Sequence, residues 1–328
     1  MSALATSVRG LRALAVRKAE ITYPTGNPNF SVLQAFPAGF TAEEADPFLM
    51  LDNFGPKPSA GLAKDADTFP VDWHPHRGMD ILTYLVQGVG RHADSLGNRE
   101  TYATPGAQWI SVGSGIMHAE AGGTPAGEME EGFQIWINTP SALKMAPPRY
   151  GTHPPHELPL LALGAGTHVR LLAGALGEAV GPFKASADIQ IADYSIAPGT
   201  SVEHALAPQH DNCLVYVYRG AAAVGGAEVP QGHVARMDLA PAPAPPASGT
   251  QAAPQRSFQL TALGEAGCAL LVFAGRQLRQ QIAWRGPFVM TTQEEIALAL
   301  KEYRDGTLLK VRAPWDFFKA SAAPPKGE

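Results

Sequence analysis

Two short segments hold the residues most able to do chemistry. Asp72-Trp73-His74-Pro75-His76-Arg77-Gly78 carries two histidines at i, i+2. Gly113-Ser114-Gly115-Ile116-Met117-His118-Ala119-Glu120 carries a histidine and a glutamate at the same spacing. Residues i and i+2 of an extended strand point to one side, so each pair offers two metal-ligating groups to one face. If the two strands adjoin, His74, His76, His118 and Glu120 converge. Three imidazoles and one carboxylate suit a first-row divalent ion: Fe, Mn, Ni, Cu or Zn. On an octahedral ion four protein ligands leave two positions for a substrate or dioxygen. A His-x-His pair alone occurs by chance in loops, and Pro75 could simply mark an edge strand or turn. Two such pairs, each beside a Gly-rich turn, favour a metal.

Short β-runs must position these groups. They include Ile81–Val86, Gln134–Ile137, Asp188–Ile191, Leu214–Tyr218 and Leu270–Phe273. Two of them close on a glycine, Gly88 and Gly220, where a tight turn needs φ > 0. The repeated layout predicts two β-barrels in tandem: residues 1–145 with the metal pair, and residues 146–328, divided by the Pro-containing stretch that begins at Met145-Ala146-Pro147-Pro148. Residues 240–254 form an Ala/Pro-rich loop with too little apolar bulk to pack, read as a disordered insertion. One helix is expected, at about 292–304. Thr292 and Glu295 make a capping box, Ile296, Leu300 and Tyr303 share a face, and Gly306 is a stop.

The composition excludes several classes. The chain has 328 residues, enough for two domains, with 45% hydrophobic and 17% charged residues. Gly 34 and Pro 29 favour strands and turns over long helices. A net charge of −5 argues against direct nucleic-acid binding, and no apolar run approaches the ~20 residues that cross a bilayer. Cys213 and Cys268 form no CxxC pair, which points to a reducing compartment and a cytoplasmic location. The basic start, with Arg9, Arg12, Arg17 and Lys18 and no acid before Glu20, reads either as an organellar transit segment or as the run into a first strand, the strand preferred. No phosphate loop or nucleophile elbow stands out.

His74–Gly78, together with the run Gln108-Trp109-Ile110-Ser111-Val112-Gly113 through Glu120, resembles the pirin family of the cupin superfamily. Asp46–Asp52, Gly132–Asn138 and Gly286–Met290 with Thr292, Glu294 and Glu295 agree with it. The resemblance implies an all-β bicupin of two antiparallel, jelly-roll-like barrels, with one non-haem iron in the N-terminal barrel. The family's three-His, one-Glu set falls on His74, His76, His118 and Glu120 without substitution. Asp80 stands where the family usually has Glu, which implies an adjustment around the ligands. The implied activity is a quercetin 2,3-dioxygenase, cleaving a flavonol with O2 and releasing carbon monoxide; Glu120 is the candidate proton acceptor if it can swing off the metal. The family's alternative is a non-catalytic, iron-containing redox sensor that binds a transcription factor or a metabolic enzyme, nuclear in the first case. Two fused barrels are expected to satisfy each other's faces in a monomer.

In the second half, counting back from Gly220 as His74 and His76 stand from Gly88 lands on Leu206 and Pro208. His204 and His210 straddle that spot without i, i+2 spacing, so this barrel is expected to be metal-free. His92 and Asp94 read chiefly as a polar strand end and turn, with support of a metal ligand as the alternative. Trp109, Phe133, Trp136, Phe54 and Met117 could line an aromatic pocket, but most are expected to be core. His153, His156, His168 and His233 are expected to be solvated loop histidines.

Overall fold

The computed structural model describes residues 10–24, 31–61, 66–239 and 256–322; the Ala/Pro-rich loop lies outside them. The first half is a sandwich. One layer is a seven-stranded sheet ordered Arg149–His153, Gly106–Ser111, Met79–Gln87, Met129–Asn138, Phe48–Pro58, Val32–Phe36 and Glu20–Thr22. The other layer has four strands, ordered Val71–His76, Ile116–Gly122, Val89–Asp94 and Arg99–Ala103. The second half is built on a nine-stranded sheet centred on Asn212–Val224 and Arg256–Gly275. The ladders are antiparallel, and the architecture is a jelly-roll-like bicupin of open, facing sheets rather than closed rings.

Strand alternation decides which half each side chain serves. Along Met79–Gln87, Leu82 and Tyr84 join a core shared with Leu214, Tyr216 and Phe273 of the second half. Ile81 faces the other way, into the first sandwich, and Thr83 reaches Glu120 there. Met129–Asn138 divides alike: Phe133, Ile135 and Ile137 enter the shared core, while Gln134 and Trp136 face the histidines. Polar groups cross the shared core in bonded sets. Asp193 accepts from the Tyr84 hydroxyl at 2.6 Å and from Tyr218 at 2.8 Å, and Tyr216 donates to Asn53 at 3.1 Å.

Gly88 makes the expected turn at φ +101°. Gly220 does not. Its strand runs on through a bulge at φ +70°, where the register against Arg256–Gly275 jumps from Cys268 to Leu263. An extra residue with positive φ bends a strand without ending it.

Each half carries one end of the other. Ala13–Lys18, inside the basic start, pairs with His233–Met237 in the second-half sheet, and Arg17 forms a bidentate ion pair with Glu44 at 2.8 Å. The hairpin of Ala283–Arg285 and Phe288–Met290 packs instead on the first half, where Val289 clusters with Met79 and Ile81. The helix Gln293–Arg304 follows with the predicted capping box, Thr292 accepting from Glu295 N. It buries Ile296 and Ala299, but Tyr303 is 42% exposed, because only one side of the helix meets the hairpin. Thr292→Ala removes a cap of about 1 kcal/mol, so its thermal midpoint should fall by only a few degrees in calorimetry; an unchanged midpoint would mean the cap adds nothing.

Candidate metal centre

The strands Val71–His76 and Ile116–Gly122 are hydrogen-bonded neighbours, with His118 opposite His74 and Ile116 opposite His76. Val71–His76 is the edge strand, which is where the ladder tolerates Pro75. The rings of His74, His76 and His118 lie 4.3–4.9 Å apart between centroids, and their ligand atoms fall within 4.8 Å of one another. The structure places Glu120 in an overlapping group, within the same limit of His118 and His92.

The surroundings fix which nitrogens are available. His74 Nδ1 lies 2.7 Å from the Asp72 carbonyl oxygen, and His76 Nδ1 lies 3.2 Å from that of Pro287. A carbonyl accepts from a protonated Nδ1 and leaves Nε2 a free lone pair, as metal-bound imidazoles require. His118 is fully buried, and neither of its ring nitrogens has a hydrogen-bond partner among the described residues. Burial, and then the neighbouring histidines, hold His76 and His118 well below the usual histidine pKa, so both are neutral at pH 7, the form that metal ligation requires. An orphaned, buried, neutral imidazole beside two pre-oriented ones fits a divalent ion. Glu120 is held by the Thr83 hydroxyl at 3.1 Å and the Gln134 amide at 3.3 Å.

His76 depends on distant chain. Besides Pro287, the Arg77 guanidinium next to it is buried and donates to the carbonyls of Ser114 and Leu308 and to the Glu302 carboxylate. The buried Lys144 ammonium joins Gly78 O, Asn138 Oδ1 and Val289 O. Gly78 itself is obligatory: at φ +86°, a Cβ there would lie 2.0 Å from the Val289 carbonyl oxygen.

The structure corrects the expectations for His92, Asp80 and His153. His92 is not part of a polar turn. It is fully buried in the strand Val89–Asp94, opposite Glu120, with Asp94 opposite His118. His92 Nε2 bonds Asp94 Oδ2 at 3.0 Å, and the ring stacks on Tyr150 at 4.5 Å. The overlooked signal was a third i, i+2 pair. Asp80 touches none of the four candidate ligands through a hydrogen bond in the described structure. Its carboxylate takes the Ser186 amide and hydroxyl from the second half, because even-numbered residues of its strand face that way. Trp109 and Phe133 belong to the shared core, whereas Trp136 stands 5.1 Å from the His76 ring and 5.8 Å from Trp284. In the second half His204 is fully buried against the Tyr194 hydroxyl at 2.8 Å, and His210 lies 3.2 Å from Asp188. His153 is tied to Trp109 and Glu157 rather than solvated.

Comparison with known proteins fits this geometry. The family model described as Pirin matches residues 29–137, and that of the pirin C-terminal cupin domain matches residues 191–309. A Pseudomonas aeruginosa protein named "putative quercetin 2,3-dioxygenase" is 35% identical over 280 residues, covering 82% of this chain and 89% of its own. The chain belongs to the pirin family. A pirin-like protein of Solanum lycopersicum is 32% identical, covering 80% of this chain and 82% of its own. The crystal structure of quercetin 2,3-dioxygenase from Acinetobacter baumannii superposes with a TM-score of 0.78 at 26% identity, over 91% of this chain and 98% of that one. His74, His76, His92, His118 and Glu120 all lie within the span matched by the pirin model.

Proposed function

We propose that this pirin-family chain is a metal-dependent dioxygenase that cleaves flavonols such as quercetin, with Fe(II) as the preferred ion at His74, His76, His118 and Glu120. The observation that carries this reading is the orphaned pair of His118 nitrogens beside two histidines already oriented by backbone carbonyls. The similarity to proteins named as quercetin dioxygenases supports the substrate class.

A bound divalent ion supplies Lewis acidity that lowers the pKa of a coordinated hydroxyl and makes an electron-rich substrate reactive toward dioxygen. The protein's own part is positioning and proton transfer. Glu120 accepts the flavonol 3-hydroxyl proton at one carboxylate oxygen, while Thr83 and Gln134 fix the carboxylate's orientation. Trp136 and Trp284 present aromatic surface beside His76 for a flat ring system.

The test is anaerobic loading with Fe(II), then quercetin and air, following flavonol absorbance and carbon monoxide. Turnover is expected from the wild type and its loss from His74→Ala/His118→Ala, with metal content measured in both. Glu120→Gln should retain metal and lose about 10²–10⁴ in rate; full turnover would remove Glu120 as the proton acceptor. Chains loaded with Fe, Mn, Ni and Cu that turn nothing over would overturn the dioxygenase and leave a redox-responsive binding protein.

A further inference from the structure

We propose that the divalent ion has a second station in this site, formed by His92, His118 and Glu120, with Asp94 as the residue that positions His92. The proposal rests on the metal reading above and adds to it a ligand and a second place for the ion.

Geometry carries it. The ligand atoms of His92, His118 and Glu120 lie within 4.8 Å of one another, as those of His74, His76 and His118 do, and His118 is common to both sets. Metal bonds of about 2.0–2.2 Å span such a group after small side-chain rotations. Strand pairing holds it in place: Glu120 is opposite His92, and His118 is opposite Asp94, on one face of the four-stranded sheet. His92 and Asp94 are both fully buried. The 3.0 Å bond from His92 Nε2 to Asp94 Oδ2 is the carboxylate–histidine arrangement that orients metal ligands, and it leaves Nδ1 with a lone pair. Among the described residues that Nδ1 meets only the Gln108 amide nitrogen, at 3.5 Å, the outer limit of a bond. Asp94 is itself fixed by Asn98 Nδ2 and by the amides of Leu96 and Asn98.

Because His118 and Glu120 serve both stations, an ion passes between them by exchanging His74 and His76 for His92 without leaving the protein. The experiment is anaerobic Co(II) titration of the full chain, followed by ligand-field absorption, with affinity set by chelator competition. His74→Ala should still bind Co(II), about 10²-fold more weakly, through the second station. His92→Gln should change wild-type affinity less than threefold yet weaken His74→Ala at least a further tenfold, and Asp94→Asn should reproduce that loss. Anomalous diffraction from Co(II)-loaded His74→Ala should place the peak beside His92, a result that stands even if a double variant folds poorly. Equal effects of His92→Gln in both backgrounds, or a peak among the remaining first-station ligands, would overturn the second station alone. A wild-type chain that binds none of Co, Fe or Ni would overturn the metal reading as well.

Discussion

Glu302→Ala is expected to lower stability by about 3–5 kcal/mol, the range for breaking a buried ion pair by removing one partner. The pair joins Arg77, only 1% exposed, to Glu302 on the helix Gln293–Arg304 at 2.6 Å. Partial burial raises the Glu302 pKa, but bonds from Lys310 and Arg77 outweigh it and hold the carboxyl below its usual range. Without that carboxylate the guanidinium keeps its two carbonyl acceptors, Ser114 and Leu308, and no counter-charge. Since Arg77 follows His76 directly, metal affinity should fall alongside stability. Calorimetry and chelator competition on one preparation check both, at about 2 °C of midpoint per kcal/mol for a chain of this size. A midpoint within 2 °C of the wild type would show that the pair is a passive contact.

Asp52→Asn should do the opposite and stabilise the protein at neutral pH. Asp52 is 3% exposed, and burial pushes its carboxyl up from 3.8 to about 6, against the Gln34 amide that bonds it at 2.7 Å. Below pH 3.8 the group is protonated in both folded and unfolded chains and carries no penalty. As pH rises, the unfolded chain ionises first, so stability falls until about pH 6 and is flat above it. A shift of this size corresponds to about 3 kcal/mol. Asn mimics the protonated acid and keeps an oxygen for Gln34. The variant should therefore match the wild type near pH 4 and exceed it by up to about 3 kcal/mol at pH 7. Denaturant melts at the two pH values decide it: a difference that does not grow with pH would mean Asp52 ionises freely in the fold.

The fold and the convergence of the three histidines were legible because they follow from local rules. The i, i+2 pairs His74/His76 and His118/Glu120 put ligands on one face of any strand, and the β-runs around them announced antiparallel layers. His92 was harder to place. Its spacing to Asp94 repeats the same rule, but the turn Ser95-Leu96-Gly97 made the segment look peripheral. Only the ladder that sets Glu120 opposite His92 shows it to be interior. Asp80 misled for a related reason. It lies close to the site in sequence, yet strand alternation turns it toward Ser186 of the second half.

By itself the sequence determined the candidate ligand types, their pairing on strand faces, the capping box at Thr292 and the two-part β architecture. These depend on side-chain chemistry and a period of two, both of which are written locally. Tertiary structure alone decided that residues more than 200 positions away hold His76 and Arg77, through Pro287 O and Glu302, and that a buried His118 belongs to two overlapping groups. Those contacts arise from packing the C-terminal hairpin and helix onto the first sheet, and their geometry is fixed by the register of strands that no local pattern encodes.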